Sequence, residues 1–309
     1  MNSKLPLAPI SITVYDRLDH LEQCLRSLTL NELAIDTELY IFSDAAKAGD
    51  EEKVNLVRDF CKKIDGFREV HLTFQSDNDY KKNMSDARVI PLRDHGRMIR
   101  MEDDNIVSPS FLTYMNEALE YYEDNPLVLA VSGYSPPIYQ EKYTKYDVYL
   151  SKIFSAWTYA TWSHKNVLGF CQVSAPHRDM TVNKLQDKVQ SIHPSLCKSL
   201  KMIDAGIHYA PDQILTYFLI KHDYYQIKPV KSLVRNNGHD GSGINCGVST
   251  HFDQPINAQI TDPRLLEMEY VADIDMNQYK FFYPSFLVKV QRRVISLIRK
   301  LIMFKSNLF

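Results

Sequence analysis

The stretch "RMIRMEDDNIVSPSFLTYMNEAL", residues 97–119, sets three consecutive acids, Glu102, Asp103 and Asp104, between a short apolar run and a strongly helical segment. Adjacent carboxylates repel one another and raise each other's pKa unless a cation or hydrogen-bond donors sit among them. The crowding falls where a strand ends and a helix is about to begin. Two readings follow. The triplet holds a hard divalent ion such as Mg²⁺ or Mn²⁺, which takes oxygen ligands and brings substrate phosphates with it. Alternatively it is a solvated acidic loop that assists the next helix through its N-terminal dipole.

Upstream, short β-prone runs alternate with longer helical ones: "ISITV", "LEQCLRSL", "ELYIFS", "EKVNLVRDFCKKI" and "VHLTF". Strands alternating with helices imply crossover connections and an α/β fold with a mostly parallel sheet flanked by helices. Downstream, a helix is expected from about Pro109 to Glu123, with Ser108 as N-cap and proline in its first position. "LVLAVSGY" reads as a further strand, completing the core by about residue 134. Ligands in such sheets bind at the carboxyl ends of the strands.

The middle of the chain differs in texture. "GYSPPIYQEKYTKYDVY" carries Tyr134, Tyr139, Tyr143, Tyr146 and Tyr149, and "FSAWTYATW" holds both tryptophans, Trp157 and Trp162. Such rings suit stacking on sugars or bases, or a tyrosine-rich hairpin packed on its own domain. Residues 211–222, "PDQILTYFLIKH", read as a helix opening with proline and an acid, and "RNNGHDGSGINCG" reads as an irregular loop. The terminal segment contains Lys289, Arg292, Arg293, Arg299, Lys300 and Lys305 and no acid, with apolar residues at helical spacing. It is expected to form a basic amphipathic helix over 284–309, lying on an anionic membrane or docked on the protein's own core.

Composition bounds the function. The chain has 309 residues, 45% of them hydrophobic and 24% charged, which is ample for one elaborate globular domain. A formal charge of -2 leaves no general basic face, so nucleic acid is not an expected partner. The five cysteines are widely spaced and contain no C-x-x-C pair, which signals neither a disulfide framework nor a zinc site. No signal peptide or membrane-spanning run is read, and the expected location is cytoplasmic, peripheral on the inner face of the cell membrane.

The blocks "PISITVYDRLDHLEQCLRSL", "IFSDA", "RMIRMEDDNIVSPSFLTYMNEALEYY", "SAWTYATW" and "RNNGHDGSGINC" resemble, in order and spacing, bacterial glycosyltransferases of the family 2 type. The first three also look like the animal N-acetylglucosaminyltransferase that initiates complex N-glycan branching. The resemblance covers roughly residues 8–247. It implies a GT-A fold, a nucleotide-sugar donor and Mn²⁺ or Mg²⁺ bridging the diphosphate. It implies a donor-binding half over 1–133, an acceptor-binding half of the same domain over 134–255, and a linker over 256–283.

Carried over residue by residue, Tyr15 and Arg17 fall in the nucleotide-holding loop after the first strand, and Asp44 matches the acid contacting base or ribose. Glu102 would lie near the transferred sugar, Asp103 near ribose, and Asp104 would ligate the metal. Asp212 resembles the catalytic base, and His239 and Asp240 could close over donor or acceptor. Each has a plainer reading: Tyr15 as a packing residue, Arg17 in a local salt bridge, Asp44 in a turn, Asp212 at a helix N-terminus, His239 in a surface loop. The chain departs from the family in having Arg97 and Arg100 in the strand before the triplet, "DYKKNMSDARVIPL" upstream and "TY" in the tryptophan block.

The activity so implied is inverting transfer of a hexosyl or N-acetylhexosaminyl group to a saccharide, expected to be a lipid-linked oligosaccharide of a bacterial surface polysaccharide such as O-antigen or capsule. The alternatives are a nucleotidyltransferase making sugar nucleotides, which would want a glycine-rich loop where "VYDRLDHLEQ" has none, and a carbohydrate-binding scaffold with a degenerate GT-A fold.

Overall fold

A computed structural model describes residues 6–138, 145–165, 173–243, 247–256, 260, 264 and 269–284. The alternation read from sequence is present as β1 (Ile10–Val14), α1 (Leu18–Thr29), β2 (Glu38–Ser43), α2 (Glu51–Cys61), β3 (Glu69–Phe74), α3 (Tyr80–His95) and β4 (Arg97–Glu102). These four strands are parallel in the order β3-β2-β1-β4. The chain therefore leaves β1 to one side, builds β2 and β3, and returns to β4 on the other side. That reversal opens a crevice beyond the carboxyl ends of β1 and β4, the place where open α/β sheets take ligands.

The second half extends the same sheet. It contributes β5 (Asn105–Val107), α4 (Phe111–Tyr122), β6 (Val128–Ser132), β7 (Val148–Ser151), β8 (Thr158–Trp162), α5 (Pro176–Val182), α6 (Gln186–Ile192) and α7 (Leu196–Asp204). After these come α8 (Pro211–His222), β9 (Tyr225–Pro229), β10 (Val234–Asn236) and α9 (Ala272–Phe282). The order continues β4-β8-β6-β9-β7, with β8 antiparallel to both its neighbours, β9 parallel to β6 and β7 antiparallel to β9. Of the seven pairings in this sheet among the described residues, four are parallel, so the α/β class expected from sequence is the one adopted. β5 and β10 form a separate antiparallel pair.

Alternation along the strands sorts the two faces. Ile10, Ile12, Ile99 and Met101 join Leu21 and Leu28 of α1 and Phe111 and Met115 of α4 in the main core. On the opposite face Ser11, Thr13 and Arg100 lie beneath α3. Pro91 inside α3 lacks the N–H that would bond the Ala87 carbonyl, and that carbonyl instead accepts the Ser11 hydroxyl at 2.6 Å. Arg100 is buried and donates to the Ser11 carbonyl at 3.3 Å and to Thr13 Oγ1 at 2.7 Å.

Three local expectations need correction. The helix after the triplet begins at Phe111, with Ser110 rather than Ser108 at the cap, because the Ser108 N–H bonds the Leu233 carbonyl at 2.8 Å beside the β5–β10 pair. The start of the "RNNG" stretch is not irregular, since Arg235 and Asn236 belong to β10. The aromatic segment is largely core: Tyr134, Tyr149 and Trp162 are buried, and Trp162 Nε1 donates to the Leu119 carbonyl at 3.1 Å. Tyr139, Tyr143 and the terminal helix expected over 284–309, from residue 285 onward, lie outside the described residues. Among the described residues no helix is long and apolar enough to cross a membrane.

His193, at the end of α6, is buried between the rings of Tyr279 and Tyr283, 5.0 and 5.1 Å away, with Nδ1 lacking a partner. Burial pushes its pKa down to about 4. Between pH 6.5 and 4 the unfolded chain binds a proton there that the folded chain refuses, so stability falls as pH drops through that window. The cost approaches ~3 kcal/mol at the acid end. His193→Phe is expected to flatten the acid limb of a plot of urea midpoint against pH; an unchanged limb would assign acid lability elsewhere.

Candidate active site

The loops after β1 and β4 bring Arg17 into the acid cluster. Its guanidinium pairs with Asp103 and, at 2.9 Å, with Asp104. Burial works against the charge of Arg17, but the two carboxylates outweigh it and hold it protonated. Part of the repulsion in the triplet is thus relieved within the chain. Asp103 is nonetheless raised to about 6, burial outweighing Arg17, and Glu102 to about 8, by burial and by the neighbouring Asp104.

Asp104 is fixed from the other side by β10 and the loop after it. Asn236 Nδ2 donates to Asp104 Oδ1 at 2.9 Å, and the Asn237 N–H donates to the Asp104 carbonyl at 2.8 Å. Gly238 follows, its N–H on Asn236 Oδ1 at 2.9 Å, and a Cβ built there would lie 2.2 Å from Asp104 Oδ2. Only glycine lets the backbone come this close. His239 is next, with Nε2 buried and without a partner, its pKa lowered by burial against the opposing pull of Asp104. Its ring stacks on Phe252 at 4.0 Å and meets Trp157 at 5.6 Å. Asn105 ties that wall to the triplet by donating to the Trp157 carbonyl at 2.6 Å.

The loop is latched to α1. His20 Nε2 lies 3.0 Å from Asp240 Oδ2 and 3.2 Å from Ser242 Oγ. The Ser242 hydroxyl and N–H, with His20 beside them, hold the Asp240 carboxyl down to about 2.

The crevice between β1 and β4 therefore collects Arg17, Glu102, Asp103, Asp104 and His239. Tyr15 lies in the same loop as Arg17 but is turned to the β2–α2 connection: its hydroxyl donates to Asp50 at 2.8 Å and accepts the Lys47 N–H at 2.9 Å. Asp44 is buried beyond β2, where Oδ1 accepts the N–H groups of Ala45 and Asp79, both at 2.9 Å, and Oδ2 accepts Asn78 Nδ2 at 3.2 Å. It fastens the entry of α3 to the end of β2. Asp212 occupies the first turn of α8, facing the Gln213 N–H, and burial raises its pKa. Among the described residues no hydrogen bond joins it to the triplet. The Tyr80 phenol is raised chiefly by burial and also by Glu102 and Tyr209, and that of Tyr283 by burial and by Asp212.

Asn236, Gly238 and His20 were not singled out from sequence. The N-N-G run after Arg235 carried a signal for two of them, since glycine flanked by amides permits close backbone approach. His20 gave none, because the pairing spans 220 residues.

Asp104 and His239 are the residues of this crevice that could hold a divalent ion. Asp104 supplies carboxylate oxygen and His239 an unpartnered buried nitrogen, a combination that admits Mn²⁺ or Mg²⁺ and weights the choice toward the transition ion.

No protein-family model matches the sequence, and no curated protein does. Among solved structures the chain is similar to the mannosyltransferase PcManGT from Pyrobaculum calidifontis in complex with GDP-Man and Mn²⁺, at 16% identity and a TM-score of 0.38, covering 54% of this chain and 47% of that one. It is also similar to residues 1–349 of S. aureus TarS, at 9% identity and a TM-score of 0.43, covering 74% of this chain and 59% of that one. The same TarS fragment in complex with UDP gives 11% identity and a TM-score of 0.42, with the same coverage. The match thus spans about half to three fifths of those chains.

Proposed function

We propose that this chain is a metal-dependent glycosyltransferase that moves a hexosyl or N-acetylhexosaminyl group from a nucleotide-sugar donor to a saccharide acceptor. The observation that supports this most is the grouping of Asp103, Asp104, Arg17 and the unpartnered His239 nitrogen at the point where the sheet reverses direction. Such a crevice suits a nucleotide, and the charges in it suit a diphosphate with its counterion.

Asp104 and His239 would hold the ion, which when bound neutralises charge on the departing diphosphate. Arg17 is read as a diphosphate partner, a phosphate oxygen exchanging for one of its two carboxylates in a charge-assisted hydrogen bond. Asp103 is read as the acid that would take a ribose hydroxyl. Glu102, whose carboxyl is pushed up by burial and by the neighbouring Asp104, is read as the residue beside the transferred sugar. Trp157 and Phe252 form an apolar wall beside His239 on which a sugar face could pack.

On the acceptor side Asp212 is read as the base that removes a proton from the attacking hydroxyl, giving inversion at the anomeric carbon. Its raised pKa suits that task. Asp212→Asn is expected to keep donor affinity and to lower turnover by ~10²–10⁴-fold. Near-normal turnover in that variant would leave Asp212 with only its place in the first turn of α8. The acid-free basic segment over 284–309 supports a lipid-linked saccharide acceptor at an anionic membrane face.

A further inference from the structure

At the opposite end of β2 and β3 from the acid triplet, three potential ligands converge, with a second histidine beside one of them. Glu38 opens β2, Glu69 and His71 lie at the start of β3, and His95 ends α3. Two imidazoles aim at one oxygen: His71 Nε2 is 2.9 Å and His95 Nε2 3.3 Å from Glu38 Oε2. Glu69 stands behind His71, 3.8 Å from its Nδ1. One donor atom from each of Glu38, Glu69 and His71 lies within 4.8 Å of the other two.

The ligands are held in place by their surroundings. Tyr40 stacks on the His71 ring at 4.2 Å, and its hydroxyl lies 2.8 Å from His95 Nε2. Arg68 pairs with the other Glu38 oxygen, Oε1, so Oε2 is left to the histidines. Two ring nitrogens and a phenol within 3.5 Å of that oxygen crowd donors onto one acceptor. A tetrahedral zinc ion at ~2.0–2.1 Å from nitrogen and oxygen needs its ligand atoms about 3.3 Å apart, so the three donors, within 4.8 Å of one another, would draw in on binding. A set of one imidazole and two carboxylates suits zinc better than magnesium or calcium, which favour all-oxygen shells.

We propose that Glu38, Glu69 and His71 form a zinc site that ties β2 to β3, with His95 at the end of α3 beside Glu38. None of these residues takes part in the nucleotide crevice, so the site stands independently of the glycosyltransferase reading. Its effect would be structural, fastening the first residues of β2 and β3 to one another.

The test is calorimetric titration of the tag-free full chain with Zn²⁺ and with Mg²⁺, together with thermal unfolding. The expected result is one zinc site of micromolar or tighter affinity and a higher unfolding midpoint with zinc. His71→Ala and the shape-conserving Glu69→Gln, each checked for a wild-type circular dichroism spectrum, should weaken zinc binding by more than ~10-fold. Asp104→Ala should leave it unchanged. Absence of saturable zinc binding, binding equally strong in both variants, or loss of binding in Asp104→Ala would each overturn the proposal.

Discussion

Gly238→Ala is expected to lower sugar transfer at least ~100-fold in a protein that still folds. The added Cβ would lie 2.2 Å from Asp104 Oδ2, 2.9 Å from Asp104 Cγ and 3.2 Å from Asn236 Oδ1. The carboxylate cannot step aside, because Asn236 and Arg17 grip its two oxygens, each at 2.9 Å. The loop must therefore lift, carrying away His239 and straining the Asp240 latch to His20. Overpacking of this kind costs about 1–3 kcal/mol in stability, while displacement of a ligating group by an ångström costs far more in rate. Turnover and thermal midpoint measured on the same preparation separate the two effects. An alanine variant with wild-type turnover would mean that the contact between this loop and Asp104 has no part in the chemistry.

The second large effect concerns stability. Asp275 of α9 is fully buried and accepts four hydrogen bonds: from Ser151 Oγ at 2.6 Å, and from the Lys152 N–H, Tyr270 hydroxyl and Gln278 Nε2, each at 2.8 Å. Lys228 of β9 is buried beside this network and donates to Gln278 Oε1 at 2.8 Å. Burial pulls Lys228 down to about 7, and the Asp275 charge opposes that fall. Asp275→Leu strands three or more donors and leaves the lysine without a counter-charge, at an expected cost of ~3–5 kcal/mol. Asp275→Leu combined with Lys228→Met should recover part of that loss, since replacing both members of a buried pair is far milder than replacing one. Urea denaturation of the two singles and the double variant measures it, and strict additivity would show that the pair does not interact.

The first half of the sheet was legible in sequence because hydrophobic period and punctuation agreed there. "ELYIFS" became β2 with the same limits, and "PDQILTYFLIKH" became α8 with the same limits. "DYKKNMSDARVIPL" was not read as α3, because Pro91 sits inside the helix and the donor that replaces its missing N–H on the Ala87 carbonyl is the hydroxyl of Ser11, 76 residues before Ala87. The triplet announced a cation by its charge density, yet the sequence could not show that Arg17 supplies one, 86 residues upstream. Asp44 was marked for the nucleotide by the resemblance alone, and no sequence signal showed that its oxygens also accept the N–H groups of Ala45 and Asp79 and the Asn78 amide. The tyrosines advertised an aromatic surface, but β7, β8 and the turn after β6 carry several of them inward. Which rings face a ligand is decided by strand register, and a run of aromatics without strict alternation leaves the register open.

The most direct measurement is calorimetric titration of UDP, GDP, CMP and dTDP, with and without Mn²⁺, on the wild-type chain and on Asp104→Ala. One nucleotide is expected to bind only when Mn²⁺ is present, and Asp104→Ala is expected to lose that dependence. Binding of none of the four, or binding indifferent to both Mn²⁺ and Asp104, would contradict a metal-dependent nucleotide site in this crevice and leave the triplet as a structural partner of Arg17.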